Sequence, residues 1–414
     1  MNMATERLYF TDSHLLDFEA QVVETLERDG RRAIVLDRTA FHPTGGGQPH
    51  DTGTFAGAQG EWRVDEVVAD EESGRILHFV SRGDGSAALP ASGAALRGRV
   101  DAARRRDLLQ QHSGQHILSQ AFVQACGAAT HSFHLGTASS TIDVDPRVDD
   151  AALAMAVDLA NDVVFSDRPT RVHLVGADEL ERFKIRRQTF HGERIRLVEI
   201  EGFDVSTCGG THAQRTGEIG LIAALSVEKA KGLQRVEFVC GGRALRALDE
   251  TRRVVGETAR RLSVSADELP AQVARLLESE KAARKRARTW FELAADAQAA
   301  ELLARAEPVG AARVVVATLA DHSFEEAQLL GKKLTERGPV VALLAVADPA
   351  TPKLLFSRSS DPSLVAFSLD TLVKQVAEHF NGRGGGSPTF AQASIDAARL
   401  SDALALARSL LASL

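Results

Sequence analysis

The chain has 414 residues, enough for two to four domains, and its 44% apolar and 25% charged residues are ordinary for a globular protein. A formal net charge of −7 excludes a surface coated in positive charge, while leaving room for a local basic patch. No apolar run reaches the roughly 18 residues needed to span a bilayer. The N-terminus, MNMATERLYFTD, lacks the blocks of a secretion signal. Three cysteines, Cys126, Cys208 and Cys240, argue against a disulfide framework and for a reducing, cytoplasmic setting.

The expected fold class is α+β with four parts. Residues 1–97 read as a β-barrel-like domain: RRAIVLDRT, EWRVDEVVAD and GRILHFVS alternate with glycine-rich turns, and FHPTGGGQPHDTG is too rich in Gly and Pro for a regular element. Residues 98–243 read as an α+β domain. Its first helix runs from Asp101 to about Cys126, with Leu108, Leu109, His112 and His116 on one stripe. STIDVDP and IRLVEIEGFDVS look like strands, and DDAALAMAVDLANDVVF and GADELERFKI like helices. Residues 244–306 read as a long helical linker, coiled-coil-like and broken at Leu269-Pro270. Residues 307–414 read as an α/β domain in which ARVVVATLA, GPVVALLAVAD and PKLLFSRSS are buried strands. There, NGRGGGSPTFAQAS reads as a glycine-rich loop opening toward a helix.

QQHSGQHILSQAF carries the first chemical signal. His112 and His116 are four apart, so a helix aims both imidazoles the same way, one turn apart. Two histidines hydrogen-bonded on a buried face would show the same spacing. The acidic neighbour that zinc peptidases use as a base is replaced by Ser113. Gly114 inside the helix costs about 1 kcal/mol relative to Ala, which points to close approach by another segment. The second signal is STCGGTHAQ, where Cys208 and His212 flank two glycines in a turn. Three imidazoles and one thiolate form a borderline-soft tetrahedral set that favours one Zn2+ over magnesium or calcium. Cys126 and Cys240 read as core residues.

The order FHPTGGGQPHDTG, RRRDLLQQHSGQHILSQAF, THSFHLG, CGGTH and GLQRVEF resembles the alanyl-tRNA editing family, the editing domain of alanyl-tRNA synthetase and its free-standing AlaX relatives. NGRGGGSPTFAQA resembles the glycine-rich end of the DHHA1 domain. The long form of AlaX is the best description of this resemblance. It implies a zinc-dependent trans-editing hydrolase, with no aminoacylation core, that deacylates alanine tRNA mischarged with serine or glycine.

Within that resemblance, His112, His116, Cys208 and His212 are the expected metal ligands. Four protein ligands close a tetrahedral site, so either one gives way to water or the metal mainly shapes the pocket. An alanine site cannot strongly reject serine, and a second site answers this by pairing the serine hydroxyl. Thr39 is the expected partner and Gln48 is expected to aim its amide at substrate or water. An ordinary strand residue and a turn hydrogen-bonder are the plain readings of these two. Gly45, Gly46 and Gly47 are expected to allow close approach of the substrate, with His134 and His131 nearby. The family usually has Tyr where this chain has His42.

For tRNA contact, the candidates are Arg104, Arg105 and Arg106, the cluster of Lys281, Arg284, Lys285, Arg286 and Arg288, and Arg383 in the glycine loop. Solvated helix faces would look the same in sequence. A homodimer through the helical or C-terminal region is also implied. Competing readings are threonyl-type editing of seryl esters and a non-catalytic tRNA-binding protein with structural zinc.

Overall fold

The computed structural model describes residues 4–82, 88–186, 194–348, 351–364 and 368–413. The chain divides into two compact units, Met1–Glu257 and Thr258–Leu414.

The first unit opens with a closed six-stranded barrel. Strands Asp17–Arg28, Arg31–Leu36, Ile76–Ser81, Gly60–Ala69, Gly53–Gly57 and Ala95–Val100 pair in that order, and the last returns to the first. Closure leaves no free edge. Inward residues alternate along the strands and fill the interior with Phe18, Phe41, Phe55 and Trp62. The glycine-rich segment 42–52 forms no strand of its own and meets the barrel at one bridge, Thr44 to Val68.

Helix α1, Ala102–Cys126, follows directly. Asp101 caps it by accepting from the Ala103 and Arg104 amides, and Gly127, at φ +69°, ends it. The predicted one-sided stripe understates its burial, since every residue from Gln111 to Ser119 is buried. Helix α2, Asp150–Phe165, packs beside it, and both cover a four-stranded sheet ordered Ile222–Ala230, Leu233–Cys240, Ser140–Val144, Thr130–Leu135. A three-stranded sheet of Thr170–Val175, Ile195–Ile200 and Asp204–Thr207 carries the C-G-G loop at its end. GADELERFKI, expected as a helix, forms only a 3₁₀ segment, Ala177–Arg182.

Helices α3, Gly242–Leu262, and α4, Leu269–Ala304, supply the expected helical stretch. The break lies at residues 263–268, and Pro270 sits in the first turn of α4, where its missing N–H costs nothing. The second unit has a six-stranded mixed sheet between helix layers. Helix α5, Phe324–Thr335, packs with the end of α4 on one face, and α6, Leu369–His379, with α7, Leu400–Ala412, on the other. The glycine loop at 382–386 is a correction. Arg383–Gly386 is an edge strand paired with Phe390–Ser394, and another strand follows it, not a helix. A Cβ on Gly384 or Gly386 would strike the partner strand, so these glycines serve sheet pairing, not a phosphate cradle. No helix among the described residues is long and apolar enough to cross a membrane.

Candidate metal centre and its cavity

The two halves predicted from sequence meet. His112, His116, Cys208 and His212 each offer a ligand atom, all within 4.8 Å of one another, and all four residues are buried. The Cys208 Sγ lies 3.4 Å from His112 Nε2 and 3.2 Å from His212 Nε2. Local packing explains the glycines. A Cβ on Gly210 would come within 2.2 Å of the His112 ring, and one on Gly114 within 2.3 Å of Cys240 Sγ. The helical glycine is therefore explained by close approach of the Leu233–Cys240 strand.

Neighbouring groups fix which imidazole nitrogen faces the shared point. His112 Nδ1 donates to Gln48 Oε1 at 2.7 Å, and the same oxygen accepts the Thr211 amide at 3.0 Å. The other end of the Gln48 amide donates to Thr211 Oγ1, which settles its orientation. His212 Nδ1 lies 3.3 Å from Ser113 Oγ, which also accepts from the Ala213 amide. His116 Nδ1 faces Asp204 Oδ2 at 3.6 Å. In each case Nε2 is left for the centre, the arrangement that orients metal-bound histidines.

Electrostatics agree with ligand duty. Burial alone would raise the Cys208 thiol, but His112 and His212 against it pull it well below its ordinary value. Burial drives His212 down to about 3, which keeps it neutral. Cys240 shows the contrast, because burial with no such company pushes its thiol up. For Asp204, burial acts upward, and His116 and Arg186 outweigh it and hold the carboxyl below the usual range.

Beside the centre is a cavity of about 670 Å³. His116 and Cys208 form part of its wall, with Tyr9, His42, Phe133 and Gly210. Gly45 and Gly46 line it as expected. Gly47, at φ +82°, lies against Phe133, where a Cβ would come within 2.6 Å of the ring.

Several expected site residues stand elsewhere. Thr39 is fully buried, and its hydroxyl donates to His78 Nε2 at 2.8 Å and accepts the Phe41 amide. His78 Nδ1 donates to the Ile34 carbonyl, so its Nε2 needs that proton. Thr39 is not among the residues lining the cavity, which corrects its assignment to a substrate hydroxyl. Thr39→Val is expected to lower stability by about 1–3 kcal/mol, read by urea unfolding, because it leaves His78 unpaired. The seryl-to-alanyl preference should stay within about threefold; a larger change would return Thr39 to the site. Gln48 is likewise corrected from the substrate to the back of His112. Gln48→Leu should weaken metal affinity about 10–100-fold, measured by chelator competition; unchanged affinity would refute this support role.

His134 is exposed on the outer face of its strand, while its neighbour Phe133 faces the cavity, as strand alternation requires. His131 is exposed and pairs with Asp145 at 2.7 Å. Arg105 is 1% exposed and paired with Asp51, so it cannot touch tRNA. Arg104 is half-buried against the His50 carbonyl, and Arg106 is exposed. In the second unit Lys285, Arg286 and Arg383 are exposed. Lys281, Arg284 and Arg288 are exposed too, and the latter two pair with Glu280 and Glu292 on the same helix. Cys126 is exposed at the end of α1, not core.

Sequence reasoning missed Arg196, whose Nη1 donates to the Cys208 and Gly210 carbonyls at 2.7 and 2.9 Å and thereby pins the ligand turn. It also missed Asp204, Tyr9 and Gln115. Nothing local marks these residues, because their partners lie far away in sequence.

Comparison with known families agrees with this architecture. The model described as "Threonyl and Alanyl tRNA synthetase second additional domain" matches residues 195–237, and the DHHA1 domain matches 311–413. The model "tRNA synthetases class II (A)" matches residues 5–104, the barrel and its flanks. The chain is 35% identical to the alanine–tRNA ligase of Pyrobaculum calidifontis over 94% of its own length and 42% of that relative. Against the alanine–tRNA ligase of Methanoculleus marisnigri it is 34% identical, covering 98% of this chain and 43% of the relative. The three models match in the order 5–104, 195–237 and 311–413, so the chain is similar in sequence to these domains of alanine–tRNA ligases. The chain spans less than half the length of these relatives. Among solved structures, the C-Ala domain from Aquifex aeolicus alanyl-tRNA synthetase covers 26% of this chain and 97% of its own, at 20% identity and a TM-score of 0.24, too slight a likeness to carry an argument.

Proposed function

We propose that this protein is an editing hydrolase of the AlaX type that acts in trans on alanine tRNA mischarged with serine or glycine. The observation that carries the reading is the buried His112, His116, Cys208 and His212 cluster opening onto a cavity through two of its members. The donor set fits zinc: three imidazoles presenting Nε2 and one thiol already drawn toward thiolate. Zinc bound there supplies a Lewis acid and a fixed positive charge beside the aminoacyl ester.

The cavity suits the rest of the substrate. At about 670 Å³ it exceeds the needs of a two- or three-carbon amino acid and leaves room for the terminal nucleoside. Arg7, Arg186, Arg194 and Arg196 line it against Glu71, so its wall is basic although the whole chain is acidic. That polarity favours an RNA end over an acidic peptide. In the reaction, water oxygen bonds to the ester carbonyl carbon, the carbon–oxygen bond to ribose breaks, and the proton lost by water ends on the ribose oxygen. The DHHA1 domain and the alanine–tRNA ligase relatives favour alanine tRNA over threonine tRNA.

The test is deacylation of pre-charged tRNA by the purified protein, with metal measured in the same sample. Serine release from alanine tRNA faster than from threonine tRNA, with about one zinc per chain, is expected. No release by metal-loaded protein would instead make it a tRNA-binding protein with a structural metal.

A further inference from the structure

Four protein ligands fill a tetrahedral metal site, whereas a catalytic one keeps a place for substrate. The four ligands of this centre are not held alike. His112 Nδ1 is fixed by Gln48 at 2.7 Å, and Thr211 in turn holds both ends of the Gln48 amide. His212 has Ser113 Oγ 3.3 Å from its Nδ1, and its amide donates to Ser13 Oγ at 3.1 Å. The Cys208 amide donates to the Arg196 carbonyl at 3.2 Å, and its own carbonyl accepts Arg196 Nη1 at 2.7 Å. Its sulfur accepts the Gly210 amide at 3.4 Å.

His116 lacks such support. Its Nδ1 has no hydrogen-bond partner among the described residues. Asp204 Oδ2 stands 3.6 Å away, beyond hydrogen-bond range. That oxygen already accepts Arg186 Nη2 at 2.9 Å and Ser206 Oγ at 3.0 Å. Among the described residues, the aromatic contacts of the His116 ring are with the other two ligand rings, at 5.3 and 4.7 Å between centroids. Of the three imidazoles, only His116 lines the cavity.

We propose that His116 is the labile ligand of this centre, the one that gives way on the cavity side while His112, Cys208 and His212 stay. This rests on the reading that the cluster holds zinc and the cavity holds the aminoacyl ester. An outer partner fixes the ring of a metal-bound histidine and strengthens it as a ligand, so the imidazole without one is held most weakly. The three ligands that remain match the number that catalytic zinc sites keep. Asp204 gives the displaced ring somewhere to go. A movement of about 0.5–1 Å brings Nδ1 within hydrogen-bond distance of Oδ2. Cys208 also lines the cavity, but its backbone is bonded on both sides and its sulfur is the ligand that can carry negative charge.

The probes are azide and imidazole, with cobalt in place of zinc so that coordination is read in the visible spectrum. His116→Ala should keep at least about half of its metal through gel filtration, where His112→Ala keeps less than about a tenth. Azide should alter the spectrum of the native cobalt protein. It should bind His116→Ala at least about tenfold more tightly, because no ring has to leave first. Free imidazole should return the His116→Ala spectrum to the native form, because the space left by that ring opens on the cavity. Equal metal loss in the two variants would overturn the proposal. So would equal azide affinity in the native and His116→Ala proteins, which would mean that azide displaces no ring. A native spectrum unchanged by azide would overturn it without any variant, and circular dichroism checks that each variant is folded. A native protein that takes up no metal removes the metal reading itself; one that holds metal through four ligands that never exchange removes only this inference.

Discussion

Cys208→Ala is expected to reduce bound zinc from about one per chain to less than about a tenth, and to slow deacylation more than about a hundredfold. The thiolate is the one ligand in this buried set that can carry negative charge, the other three being imidazoles. Without it, a divalent ion would sit in a low-dielectric pocket with no anionic ligand, and only the Asp204 carboxylate behind His116 would offset its charge. Elemental analysis after gel filtration, paired with single-turnover kinetics, reads both effects. The companion variant His112→Ala should behave alike, since its Nε2 lies 3.4 Å from the same sulfur. Full metal retention in Cys208→Ala would mean that the cluster is not the metal centre. Metal loss with undiminished deacylation would leave the centre structural and move the chemistry to the cavity side chains.

That centre was legible because both ligand pairs follow local rules. Four-residue spacing on a helix aims His112 and His116 together, and the glycines of the C-G-G turn permit the close approach seen at Gly210. The barrel strands were legible through alternation, and the helical stretch through its composition. What escaped was decided by tertiary partners. Thr39 and Gln48 stand in the expected segment, yet His78 and His112 take their polar groups. The Arg383–Gly386 stretch has the composition of a loop and becomes a strand because Phe390–Ser394 pairs with it. His134 and Phe133 differ only in which side of one strand they occupy. A signal for Arg105 did exist. At helical period it shares the stripe of Leu108, Leu109, His112 and His116, and that stripe is the buried one.

Arg105 therefore predicts a result unlike that of its neighbours. Arg105→Ala should cost about 3–5 kcal/mol of stability, because it strands the Asp51 carboxylate where neither partner meets solvent. The guanidinium makes four bonds. Two go to Asp51, one to the Ser13 carbonyl and one to the Ala40 carbonyl, at 2.6–3.2 Å. Asp51 in turn accepts the His42 amide and closes the glycine-rich segment, while Ser13 Oγ accepts the His212 amide. One side chain thus ties the metal helix to the glycine segment and to the loop carrying a ligand. Its loss should lower metal affinity as well as the urea midpoint. Arg106→Ala, at an exposed position of the same helix, should leave the midpoint within about 0.5 kcal/mol. If α1 contacts the acceptor end, the same substitution should reduce the salt dependence of tRNA binding by about one ion. Comparing the two variants by urea unfolding and salt titration separates a buried strut from a phosphate contact. An Arg105→Ala protein of native stability that binds tRNA weakly would reverse the assignment.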